Sequence, residues 1–147
     1  MEERKEAMER KKAAISKKYE QGYNCSQAVA CTFCDIAKID ETMMYRIMSG
    51  FAVGMGGMKG TCGAVSAGVA LIGLIMNNGD SKDAAQKKLV LKTAKEYTKR
   101  FAEKNQSLVC SELKGLESGT MIRSCDGCIE DAVEILEDMI EEGLIKK

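Results

Sequence analysis

The chain of 147 residues contains no proline, and no stretch alternates apolar and polar residues for long enough to make a half-buried strand. Its apolar residues recur instead at helical spacing, as Val90, Ala94, Tyr97 and Phe101 do, which places them on one face of a 3.6-residue repeat. With no proline, none of these segments is broken from within. Together these features predict an all-α fold, an irregular bundle of about five or six helices forming one domain over residues 1–147.

Local signals set the expected boundaries. Residues 1–20 read as a charged, mostly exposed N-terminal helix that ends at Gln21-Gly22-Tyr23. Asn24, with Gln27 three residues on, has the capping-box pattern and opens a second helix reaching about Ala37. Asp40 opens a short helix from Glu41 to Phe51. A glycine-rich loop follows, Gly54-Met55-Gly56-Gly57-Met58-Lys59-Gly60, and Thr61 is the expected cap of a buried apolar helix from Cys62 to Met76. Ser81 is the expected cap of a long helix ending near Lys104. Residues 105–123 are less regular. Ser124 caps the last helix, from Cys125 to about Glu142, which Gly143 closes. No internal repeat is evident.

Composition narrows function mainly by exclusion. The 22 basic and 22 acidic side chains cancel, which argues against a nucleic-acid surface. At 45% hydrophobic residues the chain can build a core without disulfides. It has no histidine, so Ser–His and Cys–His hydrolases, Cys/His zinc fingers and C-x-x-C-H haem attachment are excluded. The N-terminal run MEERKEAMERKKAAISKKYEQG lacks the apolar core of a signal peptide, so the expected location is cytoplasmic. There the seven cysteines should be reduced, metal-bound or catalytic rather than paired as structural disulfides. The unbroken apolar run from Gly63 to Met76 falls short of the roughly 20 residues a membrane span needs.

Three cysteines follow a capping residue: Asn24-Cys25, Thr61-Cys62 and Ser124-Cys125. Each is expected in the first turn of a helix, where unpaired backbone N–H groups and the dipole favour thiolate. In the last helix, Ile129, Ala132, Val133, Leu136, Met139 and Ile140 form an apolar arc with Cys125 in its middle and Cys128 at its edge. In the second helix, Val29, Thr32, Phe33 and Ile36 share a stripe with Cys25, whereas Cys31 and Cys34 lie on the far side. That pair is mid-helix, unlike a thioredoxin-type dithiol, and free cysteine commonly serves as a small buried hydrophobe. The pair is also the candidate contact between two copies of the chain. The glycine-rich loop matches neither G-x-G-x-x-G nor a P-loop, but it can bring bare backbone N–H groups to an anion such as a thiolate or a cluster sulfide. Met55 and Met58 are read as packing residues beside it, not as ligands.

These residues carry a family resemblance. Cys62-Gly63-Ala64-Val65-Ser66-Ala67-Gly68 resembles the C-G-A-x-x-G motif of the small redox proteins called the C_GCAxxG_C_C family. Asn24-Cys25-Ser26-Gln27-Ala28-Val29, the Gly/Met-rich run before Cys62, Cys110-Ser111-Glu112-Leu113 with Gly115, and a terminal cysteine ahead of Ile129-Glu130-Asp131-Ala132 are similar too. The resemblance covers nearly all of the chain after about Tyr19. It implies four site cysteines: Cys25, Cys62, Cys110 and, by its spacing to Ile129, Cys125, with Cys128 as the fallback. It also implies an iron–sulfur cluster, most simply [2Fe-2S], as in related domains. Unlike the haem-bearing relatives, this chain has no haem motif.

The leading expectation is thus a redox protein transferring electrons through a cluster to a redox partner protein that the sequence does not name. A cysteine-based thiol–disulfide oxidoreductase without metal is the first alternative, using the same Cys25, Cys62, Cys110 and Cys125 as its catalytic thiols. A structural zinc site made of four cysteines is the second.

Overall fold

The computed structural model describes residues 2–147, with side chains from residue 4 onward. Among these residues there is no strand, only an isolated antiparallel bridge between Thr61 and Val109. The helical segments are α1 (Glu2–Gln21), α2 (Cys25–Thr32), α3 (Cys34–Ala37), α4 (Glu41–Met48), α5 (Ala52–Met55), α6 (Gly63–Met76), α7 (Ala84–Asn105), α8 (Cys110–Lys114) and α9 (Cys125–Glu141). Six of them have eight or more residues, which accounts for the expected bundle. The others are single turns within connections.

The apolar α6 is the centre. Val65, Leu71 and Ile72 are fully buried, and α2, α7 and α9 pack around it. Helix α1 lies across α2 and α9 and buries Ala7 and Ala14 under its charged surface. The stripe on α7 is confirmed where it matters, since Tyr97 and Phe101 are fully buried. The Tyr97 hydroxyl donates to the Ala64 carbonyl (3.2 Å). A Cβ on Gly68 would collide with the Tyr97 ring, so that position needs glycine for α6 and α7 to approach.

Two boundaries differ from expectation. The helix expected from Cys25 to Ala37 breaks at Phe33 (φ −109°, ψ 14°). The Arg10 guanidinium from α1 donates to the Thr32 carbonyl (2.7 Å) and sits 4.7 Å from the Phe33 ring centroid, drawing the helical carbonyl away. The long helix is capped by Asp83, which accepts from the Gln86 N–H (3.0 Å), not by Ser81. Asn77, Asn78 and Asp80 each turn the chain by accepting a backbone N–H two residues on, and this spreads the turn past Ser81. No helix among the described residues is long and apolar enough to cross a membrane.

Candidate functional site

Cys25, Cys62, Cys110, Cys125 and Cys128 all line one cavity of about 220 Å³. Val53, Met58 and Leu113 give it apolar walls, and Lys114 brings a cation. The five cysteines come from four separate parts of the chain, and each part is held by its own local chemistry.

Cys25 is the first residue of α2. Its position is fixed by a complete capping box: the Gln27 N–H donates to Asn24 Oδ1 and the Asn24 N–H donates to Gln27 Oε1, both at 3.0 Å. The Ser26 hydroxyl adds a bond to the Met48 carbonyl (2.7 Å). Cys125 is the first residue of α9, whose cap Ser124 accepts the Gly127 N–H (3.0 Å). Cys62 and Cys110 are placed as a pair by the Thr61–Val109 bridge. The Cys62 N–H donates to the Leu108 carbonyl (2.7 Å) and the Cys110 N–H to the Gly60 carbonyl (3.0 Å). Cys62, not Thr61, is the cap residue of α6, since Thr61 is taken up by the bridge.

The glycine-rich segment closes one side of the cavity. Val53, Gly54, Met55 and Gly56 all have positive φ, between 56° and 85°, so the chain makes a short left-handed turn that a β-branched residue strongly disfavours. A Cβ on Gly54 would lie 2.6 Å from the Cys110 Cβ, and one on Gly63 would lie 2.6 Å from the Cys25 Sγ. Both glycines are therefore required by close approach to site cysteines. Met58 lines the cavity, whereas Met55 is exposed.

The thiols differ in acidity. Cys62 is held at about 7: a hydrogen bond with Cys128 favours its thiolate most, and the Val65 and Ala64 N–H groups and the Lys114 ammonium add to this against burial. Cys128 is pushed far up, because it stays protonated beside Cys62 and is buried. The expectation of an acidic thiol therefore holds for Cys62 but not for Cys25. Burial raises Cys25 despite the N–H groups of Val53 and Ser26, and neighbouring thiols repel its charge. Burial likewise raises Cys110. The Lys114 ammonium contacts the Cys125 sulfur.

The angular order on α9 is also corrected. Cys128, expected at the edge of the apolar arc, is 2% exposed, while Cys125 is half-buried. Side chains tilt toward the helix N-terminus, so the first residue overhangs the helix end and meets Lys114. Cys31 and Cys34 lie outside the cavity. Cys31 is buried, its thiol near the Glu41 carbonyl (3.8 Å), and burial pushes it up to about 12. Cys34 is half-buried, with its thiol near the Ala30 carbonyl (3.9 Å). Cys31 thus packs inside the chain, as a small hydrophobe does, which removes it from a subunit contact. The site residue not expected from sequence is Lys114. Its signal was its position four residues after Cys110, on the same helical face.

A family model described as "Putative redox-active protein (C_GCAxxG_C_C)" matches residues 23–139. The chain belongs to the C_GCAxxG_C_C family. No curated protein and no solved structure matches it. The C_GCAxxG_C_C protein is redox-active in the sense of its family, and five of its seven cysteines line the cavity. It departs from the C-G-A-x-x-G motif at one place. Ala67 stands where the motif has its last glycine, and Gly68, one residue on, makes the close approach to Tyr97.

Proposed function

We propose that the chain transfers electrons through an iron–sulfur cluster of the [2Fe-2S] type. Cys25, Cys62, Cys110 and Cys125 would hold it, with Cys128 as the alternative fourth donor. The observation that carries this reading is the arrival of those cysteines, each at the start of a helix, at one cavity. Four thiolates are what such a cluster requires. A [2Fe-2S] core takes four thiolates over two irons, and four chain segments bring cysteines to this cavity.

The chain's own groups suit a negatively charged occupant. The starts of α2, α6 and α9 carry the positive ends of their dipoles. The absent Cβ atoms of Gly54 and Gly63 let backbone come close to the sulfurs. Lys114 adds a full positive charge at the wall, beside the apolar side chains of Val53, Met58 and Leu113. A cluster bound there would supply one-electron transfer at a potential set by these charges and by burial. Phe51, just before the left-handed turn, and Val53 and Met55 on it are exposed and offer an apolar surface where a redox partner protein could exchange electrons.

Serine substitution tests the ligand set. Cys25→Ser, Cys62→Ser, Cys110→Ser and Cys125→Ser are each expected to lose most bound iron and sulfide, while Cys31→Ser and Cys34→Ser keep both. Full iron and sulfide in all four of the first variants would overturn the proposal. Loss in Cys128→Ser with retention in Cys125→Ser would move the fourth donor one turn along α9.

A further inference from the structure

A second, larger cavity opens at the other end of the bundle. The cysteine cavity gathers where α6 and α9 begin, at Cys62 and Cys125, whereas Met76 ends α6 and Met139 lies in the last turn of α9. Met76 and Met139 line a groove of about 860 Å³, and the rise of the two helices puts about 20 Å between it and the cysteines. Helix α7 supplies one wall with Leu89 and Val90, and the segment after α9 supplies another with Leu144. Leu89 and Leu144 are exposed, at 51% and 41%.

The inner polar groups of this groove are already used. Gln86 Nε2 donates to the Met76 carbonyl (3.1 Å), and Gln86 Oε1 accepts the Asn78 N–H (3.2 Å). The Thr93 hydroxyl donates to the Leu89 carbonyl (2.8 Å). What the inner part leaves open to an occupant is apolar surface.

The rim is cationic. Six basic side chains and two acidic ones line the groove, in a chain whose 22 basic and 22 acidic residues cancel. Both acidic ones are engaged: Asp83 accepts the Gln86 N–H (3.0 Å), and Glu96 accepts from Arg100 (2.7 Å). No acidic side chain among the described residues pairs with Lys92, Lys95 or Lys146. Lys146 follows α9, whose C-terminal dipole end favours a cation. Lys92 and Lys95 lie inside α7, away from either dipole end. Lys88 and Lys92, like Lys95 and Lys99, are like charges four residues apart, a spacing that destabilises a helix. An anion at the rim would relieve that repulsion.

We propose that this groove binds a single-chain amphiphilic anion, a medium-chain carboxylate, with its alkyl chain on Met76, Leu89, Val90 and Leu144 and its head group at the rim lysines. The volume lies in the range of small-molecule sites, roughly 300–1,000 Å³. This function is separate from electron transfer and does not depend on it. The internal competitor is the cysteine cavity, which also combines apolar walls with an ammonium, that of Lys114, but encloses only about 220 Å³.

The test titrates the full-length chain with dodecanoate below its micelle concentration, by calorimetry and by chemical shifts of methyl-labelled leucines. One dodecanoate per chain is expected, with a Kd on the order of 100 μM. Leu89 and Leu144 should shift and Leu113, in the cysteine cavity, should not. Dodecyltrimethylammonium, with the same chain and the opposite charge, should bind at least about tenfold more weakly. The double variant Lys92→Gln, Lys146→Gln should bind dodecanoate about fivefold more weakly, and both side chains are exposed, so the fold is kept. Equal binding of the cationic amphiphile, shifts centred on Leu113, or no saturable binding would each overturn the proposal. So would binding to phosphatidylglycerol vesicles without binding of free dodecanoate, which would make this face a membrane contact. A dimer in sedimentation that dodecanoate leaves intact, with Leu89 and Leu144 in its interface, would overturn it as well.

Discussion

A Cβ on Gly63 would lie 2.6 Å from the Sγ of Cys25 and 2.9 Å from the Cα of Ala52. One of those atoms is backbone, so the clash cannot be relieved by a side chain turning aside. Gly63→Ala is therefore expected to destabilise the chain by about 1–3 kcal/mol, the usual range for overpacking, and to lower bound iron by displacing Cys25. Gly73 lies in the same helix with open space at its Cβ, so Gly73→Ala should stabilise by about 0.5–1 kcal/mol through helix propensity. Thermal melts of the two variants read the contrast.

The acidity of Cys62 makes stability depend on pH in the reduced, metal-free chain. Its folded value is about 7, below the ordinary 9.0, so between those values the unfolded chain binds more protons and stability rises with pH. That contribution is full above pH 9 and is lost as pH falls through 7. Cys25, Cys31, Cys34, Cys110 and Cys128 are shifted upward, so each opposes the trend as the unfolded thiols ionise near 9. Urea melts from pH 6.5 to 10 should show stability rising to about pH 8 and then turning down as the unfolded thiols ionise. Cys62→Ser should remove the rise.

Arg10 ties α1 to three other elements. It donates to the Thr32 carbonyl, pairs with both Asp35 oxygens (3.1 and 3.0 Å) and meets Glu137 on α9. Burial already pushes the Glu137 carboxyl above its usual range. Arg10→Ala would leave that group buried beside nothing cationic, at an expected cost of about 3 kcal/mol. Adding Glu137→Gln should recover part of the loss, which a double-mutant cycle in urea measures.

The caps beside the cysteines separate folding from ligand placement. Ser124→Ala removes the acceptor of the Gly127 N–H and should cost about 1 kcal/mol. It should also loosen Cys125, the residue after it. Asn24→Ala should cost at least as much, since the Asn24 Oδ1 half of the capping box and a bond from its Nδ2 to the Ser49 carbonyl (3.2 Å) both go. Equal stability of either variant and the parent in urea would show that the caps do not hold the site.

Much of this arrangement is legible in residue order, because it depends on local signals. Asn24, Asp40 and Ser124 announce their helices, and Tyr97 and Phe101 announce the buried face of α7. The break at Phe33 is not legible, since it follows from Arg10, 23 residues earlier in the chain. Neither is the left-handed turn, because Val53 is among the last residues to be expected at positive φ. Cys128 looks peripheral on a helical wheel because a wheel ignores the tilt of side chains toward the N-terminus, which sends Cys125 past the helix end. Cys31 lies away from the cavity, as its angle on α2 implies, whereas Cys34 follows the break at Phe33, so its place outside the cavity is not set by that angle. The sequence could not show that Cys62 and Cys128 face one cavity, since that depends on the packing of α6 on α9.

The most direct measurement is made on the native protein, purified without oxygen from iron-replete cells. Iron, zinc and acid-labile sulfide are assayed on one sample whose visible spectrum is recorded. A [2Fe-2S] site predicts a coloured protein with about two iron and two sulfide per chain and little zinc. A colourless chain without iron or sulfide would contradict it.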